Sequence, residues 1–230
     1  MGNAIVLCSG GLDSVVTGHY VKKTLGYKKG IILFFNYGQK SLERERECSK
    51  KCAKDLDYDF MEIELPELSK LSPSLINVGG KVKKLSREDL KDTKEESKKF
   101  YVPFRNTAFL VYALALAESL FIKNKGIYEI FLGFKNEGSE SYPDTTEEYV
   151  KEMNRLMDVA SNGKFVINAP MIKKDKEDIV KLGDSLDVDF KETHSCYVSN
   201  GACGSCLACM LRKEGFYWSG IKDPTEYVGN

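Results

Sequence analysis

The sequence lacks a long uninterrupted stretch of apolar residues. Its longest, from Phe109 to Ala117, ends at Glu118 and is well short of the ~20 residues that cross a bilayer. The amino terminus has neither the basic stretch nor the small-residue cleavage site of a secretory signal, and Val6 stands where a myristoylation signal requires Ser or Thr. These absences predict a cytoplasmic protein that does not enter a membrane.

The sequence also has no excess of either charge. Its 34 Lys and Arg residues balance 34 Asp and Glu residues, so no overall positive field attracts nucleic acid or acidic lipid. Hydrophobic residues make up 42% of the chain and charged residues 30%, which excludes a disordered composition. We therefore predict a globular protein that does not bind nucleic acid directly.

Apolar runs and helix-compatible stretches alternate along the chain. Strands are predicted at residues 4–7, 30–35, 59–65, 127–133 and 165–167, and helices after residue 13 and at residues 41–56, 106–121, 147–160 and about 176–182. This alternation indicates an α/β fold with a Rossmann-like, mainly parallel sheet of about five strands, in a single domain spanning residues 1–230. Residues 66–99, rich in Lys, Glu, Ser and Asp, are expected to form either a lid beside this core or a solvated, partly mobile loop.

A glycine-rich segment, S-G-G-L-D-S at residues 9–14, follows the first predicted strand. Its glycines allow close approach of the backbone, and the following helix N-terminus suits a phosphate or pyrophosphate. The sequence contains neither the pattern G-x-x-x-x-G-K-[ST] nor the pattern G-x-G-x-x-G, so another kind of phosphate loop is indicated. The alternative is a tight turn in which Asp13 only caps the helix.

Four of the seven cysteines lie within fourteen residues near the C-terminus. They form a C-x6-C-x2-C-x2-C cluster: Cys196, Cys203, Cys206 and Cys209. In a compartment that keeps thiols reduced, this spacing favours a closed, structural Zn²⁺ site, with an iron–sulfur cluster as the main alternative. The other three, Cys8, Cys48 and Cys52, are interpreted as ordinary thiols, and neither histidine indicates a site by itself.

The string S-G-G-L-D-S resembles the pyrophosphate loop of the ATP pyrophosphatases. Further segments resemble, in order, one of their families, the QueC 7-cyano-7-deazaguanine synthases of queuosine precursor synthesis. These segments are F-N-Y-G-Q at 35–39, Y-V-P-F-R-N at 101–106, S-Y-P-D at 141–144, Pro170 with Asp175 and Lys176, and 193–197 with the cysteines and Arg212. The resemblance spans nearly the whole chain and implies an adenine nucleotide alpha hydrolase-like fold with a zinc knuckle at 196–209.

The resemblance implies an ATP-dependent ligase that forms C–N bonds. The family adenylates 7-carboxy-7-deazaguanine, forms the amide with ammonia, and activates the amide again to give the nitrile, releasing AMP. The residues implied for binding ATP with Mg²⁺ are Leu7, Cys8, Ser9, Gly10, Gly11, Leu12, Asp13, Ser14, Val15, Tyr37 and Gln39. The implied catalytic residues are Asp13, Arg105 and Lys176, and the implied substrate contacts are Arg105, Asn106, Tyr142 and Asp144. A homodimer is implied as well.

The sequence departs from the family pattern in one region. Phe104 replaces a family Gly, residues 138–141 replace D-x-S-G, and Thr145-Thr146 replaces C-R. Because the phosphate loop and the cysteines are intact, adenylation is expected, whereas the nitrile endpoint stays open. The alternative is a QueC-like enzyme of type IV CBASS antiphage defence, which joins the deazaguanine to a protein amine as an amide. Two other function classes are a tRNA-modifying thiolase on the same loop and a non-catalytic zinc-binding module.

Overall fold

The structure is a computed structural model that describes residues 2–135, 142–161 and 165–228. Its sheet has five parallel strands in the order β3-β2-β1-β4-β5. The strands are β1 (Asn3–Leu7), β2 (Gly30–Asn36), β3 (Asp59–Glu64), β4 (Tyr128–Phe131) and β5 (Ile167–Asn168). The chain runs outward from β1 to β3 and then crosses to the other side of β1, which confirms the predicted α/β class. Open parallel sheets bind ligands beside such a reversal, outside the carboxyl ends of the strands.

Helices cover both faces of the sheet. Ile5 of β1 shares one core cluster with Leu110 and Ala113, whereas the neighbouring Val6 shares the other with Val16. Because both faces are buried, the central strands are continuous apolar runs, and β1 and β2 are predicted almost to the residue. The described helices are α1 (Leu12–Lys23), α2 (Leu42–Asp55), α3 (Pro66–Leu71), α4 (Lys94–Lys98), α5 (Arg105–Asn124), α6 (Glu147–Ala160), α7 (Lys176–Ser185) and α8 (Leu207–Ser219).

Several predicted boundaries are wrong. The strand predicted at 127–133 ends at Phe131, and Gly133 passes so close to α1 that a Cβ there would lie 2.8 Å from the Cα of Ser14. Strand β3 does not alternate cleanly between buried apolar and exposed charged residues, since Met61 is 37% exposed and Glu62 is half-buried in an ion pair with Arg46. Helix α8 was not predicted, because the cysteines and glycines around its start do not form a helical pattern.

The segment 66–99 contains α3, a 3-10 turn at Glu88–Lys91 and α4. Ile76 and Leu85 are buried in the larger core cluster. The N–H of Leu85 donates to the carbonyl of Ser205 at 2.9 Å, which ties the segment to the cysteine cluster. The hydroxyl of Tyr142 donates to the carbonyl of Ser97 at 2.9 Å and ties it to the turn before α6.

Helix α5 is long and apolar enough, by length and composition alone, to cross a membrane. Its apolar inner face accounts for part of this composition, since Leu110, Ala113 and Ala117 are fully buried against the sheet. Its outer face carries Val111, which is 50% exposed, and Ile122, which is 68% exposed. The predicted nine-residue apolar run thus belongs to a helix with one buried and one exposed apolar face.

Candidate active site

The turn between β1 and α1 leaves the start of the helix open to a ligand. Gly11 precedes α1, and no side chain caps its first turn. The first N–H groups of a helix have no intrahelical partner, and together with the helix dipole they suit an anion. The geometry therefore suits the phosphate that the glycine-rich sequence predicts.

Gly10 is enclosed on two sides. Its φ is +72°, and a Cβ there would lie 2.5 Å from the carbonyl oxygen of Glu45 and 2.6 Å from the Cβ of Cys48. Its own carbonyl accepts a hydrogen bond from the main-chain N–H of His194 at 2.9 Å. The loop is therefore held between α2 and the segment that leads into the cysteines.

A cavity of about 280 Å³ lies beside this loop, at the carboxyl end of the sheet. Two predicted loop residues do not line it, because Gly10 packs against α2 and Val15 points into the core. Asp144 does not line it either, but lies behind Asn106. The predicted site residues that line the cavity are Leu7, Cys8, Ser9, Gly11, Leu12, Asp13, Ser14, Tyr37, Gln39, Arg105, Asn106, Tyr142 and Lys176.

Asp13 and Lys176 form an ion pair at the cavity. The Lys176 Nζ lies 2.7 Å from Oδ1 and 2.6 Å from Oδ2 of Asp13. Gly215 of α8 makes room for the lysine, because a Cβ there would lie 2.3 Å from the Lys176 Cγ. Three elements, α1, α7 and α8, thus fix one carboxylate and one ammonium group at the phosphate-binding turn.

Arg105 lies at the start of α5, among aromatic rings. Its Nη1 donates to the Tyr37 hydroxyl at 3.4 Å, and its guanidinium lies 5.7 Å from the Tyr37 ring and 6.0 Å from the Phe109 ring. Burial disfavours its charge, but interactions with nearby groups, Tyr37 first, outweigh burial and raise the pKa of Arg105. Burial also raises the pKa of Tyr37 to about 12, so the phenol stays protonated. The pair presents a permanent cation to the cavity.

Asp144 is a buried carboxylate whose two oxygens meet no hydrogen-bond donor. The Asn106 amide donates instead to the main-chain carbonyl of Asp144 at 3.3 Å. Burial raises the pKa of Asp144, and the field of Arg105 opposes this. A buried acceptor without a donor is costly, so Asp144 lowers the stability of the fold when it is ionised.

Cys8 lies directly before the loop and is buried beside Cys52 and Ser14. The Cys52 thiol donates to the Cys8 sulfur and lowers the pKa of Cys8 to about 7, in spite of burial. The Cys8 Sγ lies 3.5 Å from the Ser14 Oγ. This environment differs from that of an ordinary exposed thiol.

The four C-terminal cysteines converge on one point. Their sulfur atoms all lie within 4.8 Å of one another. The sulfurs of Cys203 and Cys209 are 3.9 Å apart, and those of Cys196 and Cys206 are 4.0 Å apart. Zinc–sulfur bonds of ~2.3 Å place the sulfurs of a tetrahedral site ~3.8 Å apart, so the cluster fits one zinc ion. Thiols donating from Cys206 and Cys209 lower the pKa of Cys196, which favours the thiolate that a metal requires.

The comparison with known families decides which group of proteins this is. A family described as "Queuosine biosynthesis protein QueC" matches residues 3–220. The chain belongs to the QueC family. It is 34% identical to a 7-cyano-7-deazaguanine synthase of Methanobrevibacter smithii, over 97% of each chain. It is 37% identical to one from Nitratiruptor, over 97% of this chain and 98% of that one.

The similarity of this chain to a solved structure is weaker than its similarity to the QueC sequences. The NMN synthetase from Francisella tularensis superposes with a TM-score of 0.46 at 14% identity, over 96% of this chain and 78% of that one. This similarity is too low to carry an argument about function. The QueC assignment therefore depends on the sequence comparison, which confirms the resemblance predicted from the motifs.

Arg212 matches the QueC pattern, and the fold gives it a structural role. Its side chain is 2% exposed and donates to Thr193 at 2.7 Å, to the carbonyl of Phe190 at 3.0 Å and to Asp223 at 3.2 Å. It therefore joins α8 to the segment that contacts the loop and to the C-terminal tail. An arginine that matches a family motif can have a structural or a catalytic role, and the sequence alone does not distinguish the two.

Some residues at or beside the cavity are not predicted from the sequence. Glu45 lines the cavity, the main chain of His194 holds the loop, and Gly215 makes room for Lys176. A glutamate on a charged helix and a lone histidine resemble ordinary surface or core residues. In the fold the Gln39 Nε2 donates to the Glu45 carboxylate at 3.0 Å, a contact that no feature of the sequence records.

The departures from the QueC pattern lie partly outside the described residues, since residues 138–141 are not among them. Phe104 is described: it is 73% exposed and adopts φ 54°, a left-handed backbone that suits the family's glycine. Thr145 is buried, and its hydroxyl donates to the Tyr142 carbonyl at 3.0 Å.

Proposed function

We propose that this protein is an ATP-dependent ligase that activates 7-carboxy-7-deazaguanine and, with ammonia, forms 7-cyano-7-deazaguanine. The observation that carries the proposal is one cavity that is lined by the glycine loop, the Asp13–Lys176 pair and Arg105. The synthases named among its relatives support the same product.

The chemistry needs these groups because a carboxylate is a poor acyl donor. Attack by its oxygen on the α-phosphorus of ATP releases pyrophosphate and leaves AMP on that oxygen, which makes it a good leaving group. Ammonia then displaces AMP and gives the amide. A second activation, at the amide oxygen, followed by loss of AMP gives the nitrile. Negative charge accumulates on phosphate oxygens, and we assign Lys176, Arg105 and the N–H groups of the loop to stabilise it.

We assign recognition of the heterocycle to Asn106 and Tyr142, which line the cavity. Asp144 does not line it, and we assign it a positioning role through its contact with Asn106. Tyr142 stacks on Tyr101 at 5.5 Å and provides an aromatic face. Asn106 holds the main chain at Asp144.

The proposed cofactors follow from the donors at each site. Asp13 is the carboxylate assigned to the Mg²⁺ that accompanies ATP, because hard cations prefer carboxylate oxygens. The four cysteines would hold Zn²⁺, which when bound supplies a rigid cross-link and no reactive position. Reduced metal-binding thiols agree with a cytoplasmic location.

Product analysis tests the proposed function. The protein is incubated with 7-carboxy-7-deazaguanine, ATP and ¹⁵N-ammonium, and AMP and the labelled product are measured by mass spectrometry. We expect substrate-dependent AMP and the labelled nitrile, a loss of at least about 100-fold in Asp13→Asn, and no change in the exposed control Asp158→Asn. Absence of AMP above background would refute the activity. Unchanged AMP and nitrile formation by Asp13→Asn would show that this carboxylate is not required for the reaction.

A protein amine is the second candidate acceptor, and Phe104 favours it. A left-handed backbone costs a residue other than glycine ~1–2 kcal/mol, and here it presents an exposed aromatic ring next to Arg105. Such a ring suits contact with a polypeptide. Intact-protein mass spectrometry distinguishes the two acceptors, because an amide adduct adds the deazaguanine acyl mass to a protein, whereas the nitrile is a free small molecule.

We also propose a homodimer. The outer face of α5 and the neighbouring α6 expose several large apolar side chains: Val111, Tyr112, Ile122, Leu156 and Val159. Contiguous exposed apolar surface is typical of protein interfaces. A second copy of the chain is the partner that the family resemblance implies.

A further inference from the structure

Glu45 is a carboxylate at the cavity that the activation step does not use. It lies in the first turn of α2, and its main chain packs against Gly10 of the phosphate loop. Among the described residues that line the cavity, the carboxylates are Asp13 and Glu45, and Asp13 is already paired with Lys176. Glu45 has no Lys or Arg within ion-pair distance in the described part of the chain.

Two buried side chains fix the orientation of this carboxylate. The Ser41 hydroxyl donates to Oε1 at 2.5 Å, and the Gln39 Nε2 donates to Oε2 at 3.0 Å. Gln39 is itself fixed, because its Oε1 accepts from the N–H of Tyr37 and its Nε2 donates to the carbonyl of Phe35, both at 2.9 Å. Gln39 was predicted to contact ATP, yet its amide is occupied by these protein partners.

The carboxylate keeps room for a donor from a ligand. An ionised carboxylate accepts about four hydrogen bonds, and Ser41 and Gln39 supply one to each oxygen. Burial raises the pKa of Glu45, and Arg105 opposes this shift. A half-buried, oriented and unpaired carboxylate is stabilised by a small cation that brings its own N–H donors.

Ammonium, a reactant of the proposed reaction, is a small cation with N–H donors. Ammonia, like a lysine amine, is mostly protonated at neutral pH, and ammonium has no lone pair with which to attack. A site that consumes ammonia must therefore bind the cation and remove a proton next to the activated carbonyl. General base catalysis of this type contributes ~10²–10⁴-fold.

We propose that Glu45 binds the ammonium ion and takes its proton, with Gln39 and Ser41 as positioning residues. One N–H bond of ammonium breaks, the proton passes to the Glu45 carboxylate, and the freed lone pair attacks the acyl-adenylate carbon. The bond from that carbon to the AMP oxygen breaks, and AMP leaves with the electron pair. The nitrogen loses a second proton to solvent as the amide forms. This inference rests on the proposed function, and it names the residue that admits the second substrate.

Separate assays of the two half-reactions test the proposal. Adenylation is measured as pyrophosphate–ATP exchange that depends on 7-carboxy-7-deazaguanine, without ammonium. Nitrogen transfer is measured with ammonium and, separately, with hydroxylamine, an amine that is neutral at neutral pH. Glu45→Gln is compared with Glu47→Gln, an exposed residue of the same helix. We expect Glu45→Gln to keep exchange within about twofold, to lose at least about 100-fold in kcat/KM for ammonium, and to react normally with hydroxylamine. Ser41→Ala is expected to show the same selective loss, about tenfold.

Each other outcome overturns the proposal. Loss of exchange in Glu45→Gln would assign the residue to ATP, Mg²⁺ or folding instead. An equal loss with hydroxylamine would assign it to positioning of the adenylate. Unchanged use of ammonium would leave it no catalytic role. Absence of exchange in the unmodified protein would refute the proposed function itself, which is a different result from any failure of the variant.

Discussion

Gly10 has two independent reasons to be glycine, a positive φ and a lack of space for a Cβ. Gly10→Ala is therefore expected to displace the loop from α2 and to weaken ATP binding at least about tenfold, since hydrogen bonds to phosphate need accurate placement. Gly79→Ala is the matched control, because nothing lies within 4 Å of a Cβ at that position. Isothermal titration with a non-hydrolysable ATP analogue measures both variants. Equal affinity of Gly10→Ala and the unmodified protein would show that the loop does not hold the nucleotide.

Asp144 is expected to make the free energy of unfolding fall as pH rises, because burial raises its pKa. Its pKa is raised from 3.8 by burial, so the folded protein binds this proton more tightly than the unfolded chain does. The stabilisation is complete below pH 3.8 and is lost as pH rises through the folded-state pKa.

Asp144→Asn is accordingly expected to be more stable than the unmodified protein at pH 7, by ~1–3 kcal/mol. Urea unfolding at several pH values between 4.5 and 8 measures the stability, with Asp158→Asn as the exposed control. A difference in stability that does not grow with pH would contradict the assignment.

At the scale of the elements, the predictable parts are those set by a repeating pattern. Helix α6 was predicted at its observed residues because its apolar residues recur with helical spacing, and β1 and β2 because strands buried on both faces are continuous apolar runs. Helix α8 and the length of β5 were not predictable in this way. Helix α8 begins at the cysteine cluster and is held by Arg212, whereas β5 is set by its pairing with β4 and by the Asn154 side chain. These are contacts between different segments of the chain.

The residues of the candidate site also fall into two groups, those in local sequence motifs and those that only the fold brings together. The phosphate loop and the cysteines were found in the sequence because each is a compact motif whose members lie within a few residues. Glu45, the main chain of His194 and Gly215 belong to three different elements, and only folding brings them to the loop. No local spacing records such contacts.

The connection between α8 and the loop segment depends on Arg212. Its guanidinium is buried against Asp223, Thr193 and the carbonyl of Phe190. Removing one partner of a buried ion pair leaves an uncompensated charge, so Arg212→Ala is expected to lower the free energy of unfolding by ~3–5 kcal/mol. Urea denaturation measures this value, and Arg155→Ala, an exposed arginine of α6, is expected to change it little. A similar small effect of both variants would contradict a central role for Arg212.

The cysteine cluster and the phosphate loop are joined by a short path. His194, two residues before Cys196, donates its N–H to the carbonyl of Gly10. Removing zinc by a chelator, or replacing a ligand in Cys206→Ser, is therefore expected to lower the melting temperature and to weaken ATP binding together. Metal content by mass spectrometry and nucleotide titration measure the two effects. Loss of metal with unchanged nucleotide affinity would show that the loop keeps its shape without the cluster.

At the scale of the whole molecule, α5 and α6 expose large apolar side chains that we propose a second copy covers. Val111, Ile122 and Val159 are 50%, 68% and 82% exposed, and burying such surface in a second copy is favourable by ~25 cal/mol per Å² of apolar area. We expect the protein to sediment at twice its chain mass of 25.9 kDa.

The double variant Val111→Asp with Ile122→Asp is expected to sediment as a single chain, because charges opposed across an interface lose their hydration. Leu71→Asp, on exposed α3, is the control and is expected to stay dimeric. A single-chain mass for the unmodified protein at micromolar concentration would refute the dimer, and a dimer that survives the double variant would place the interface elsewhere.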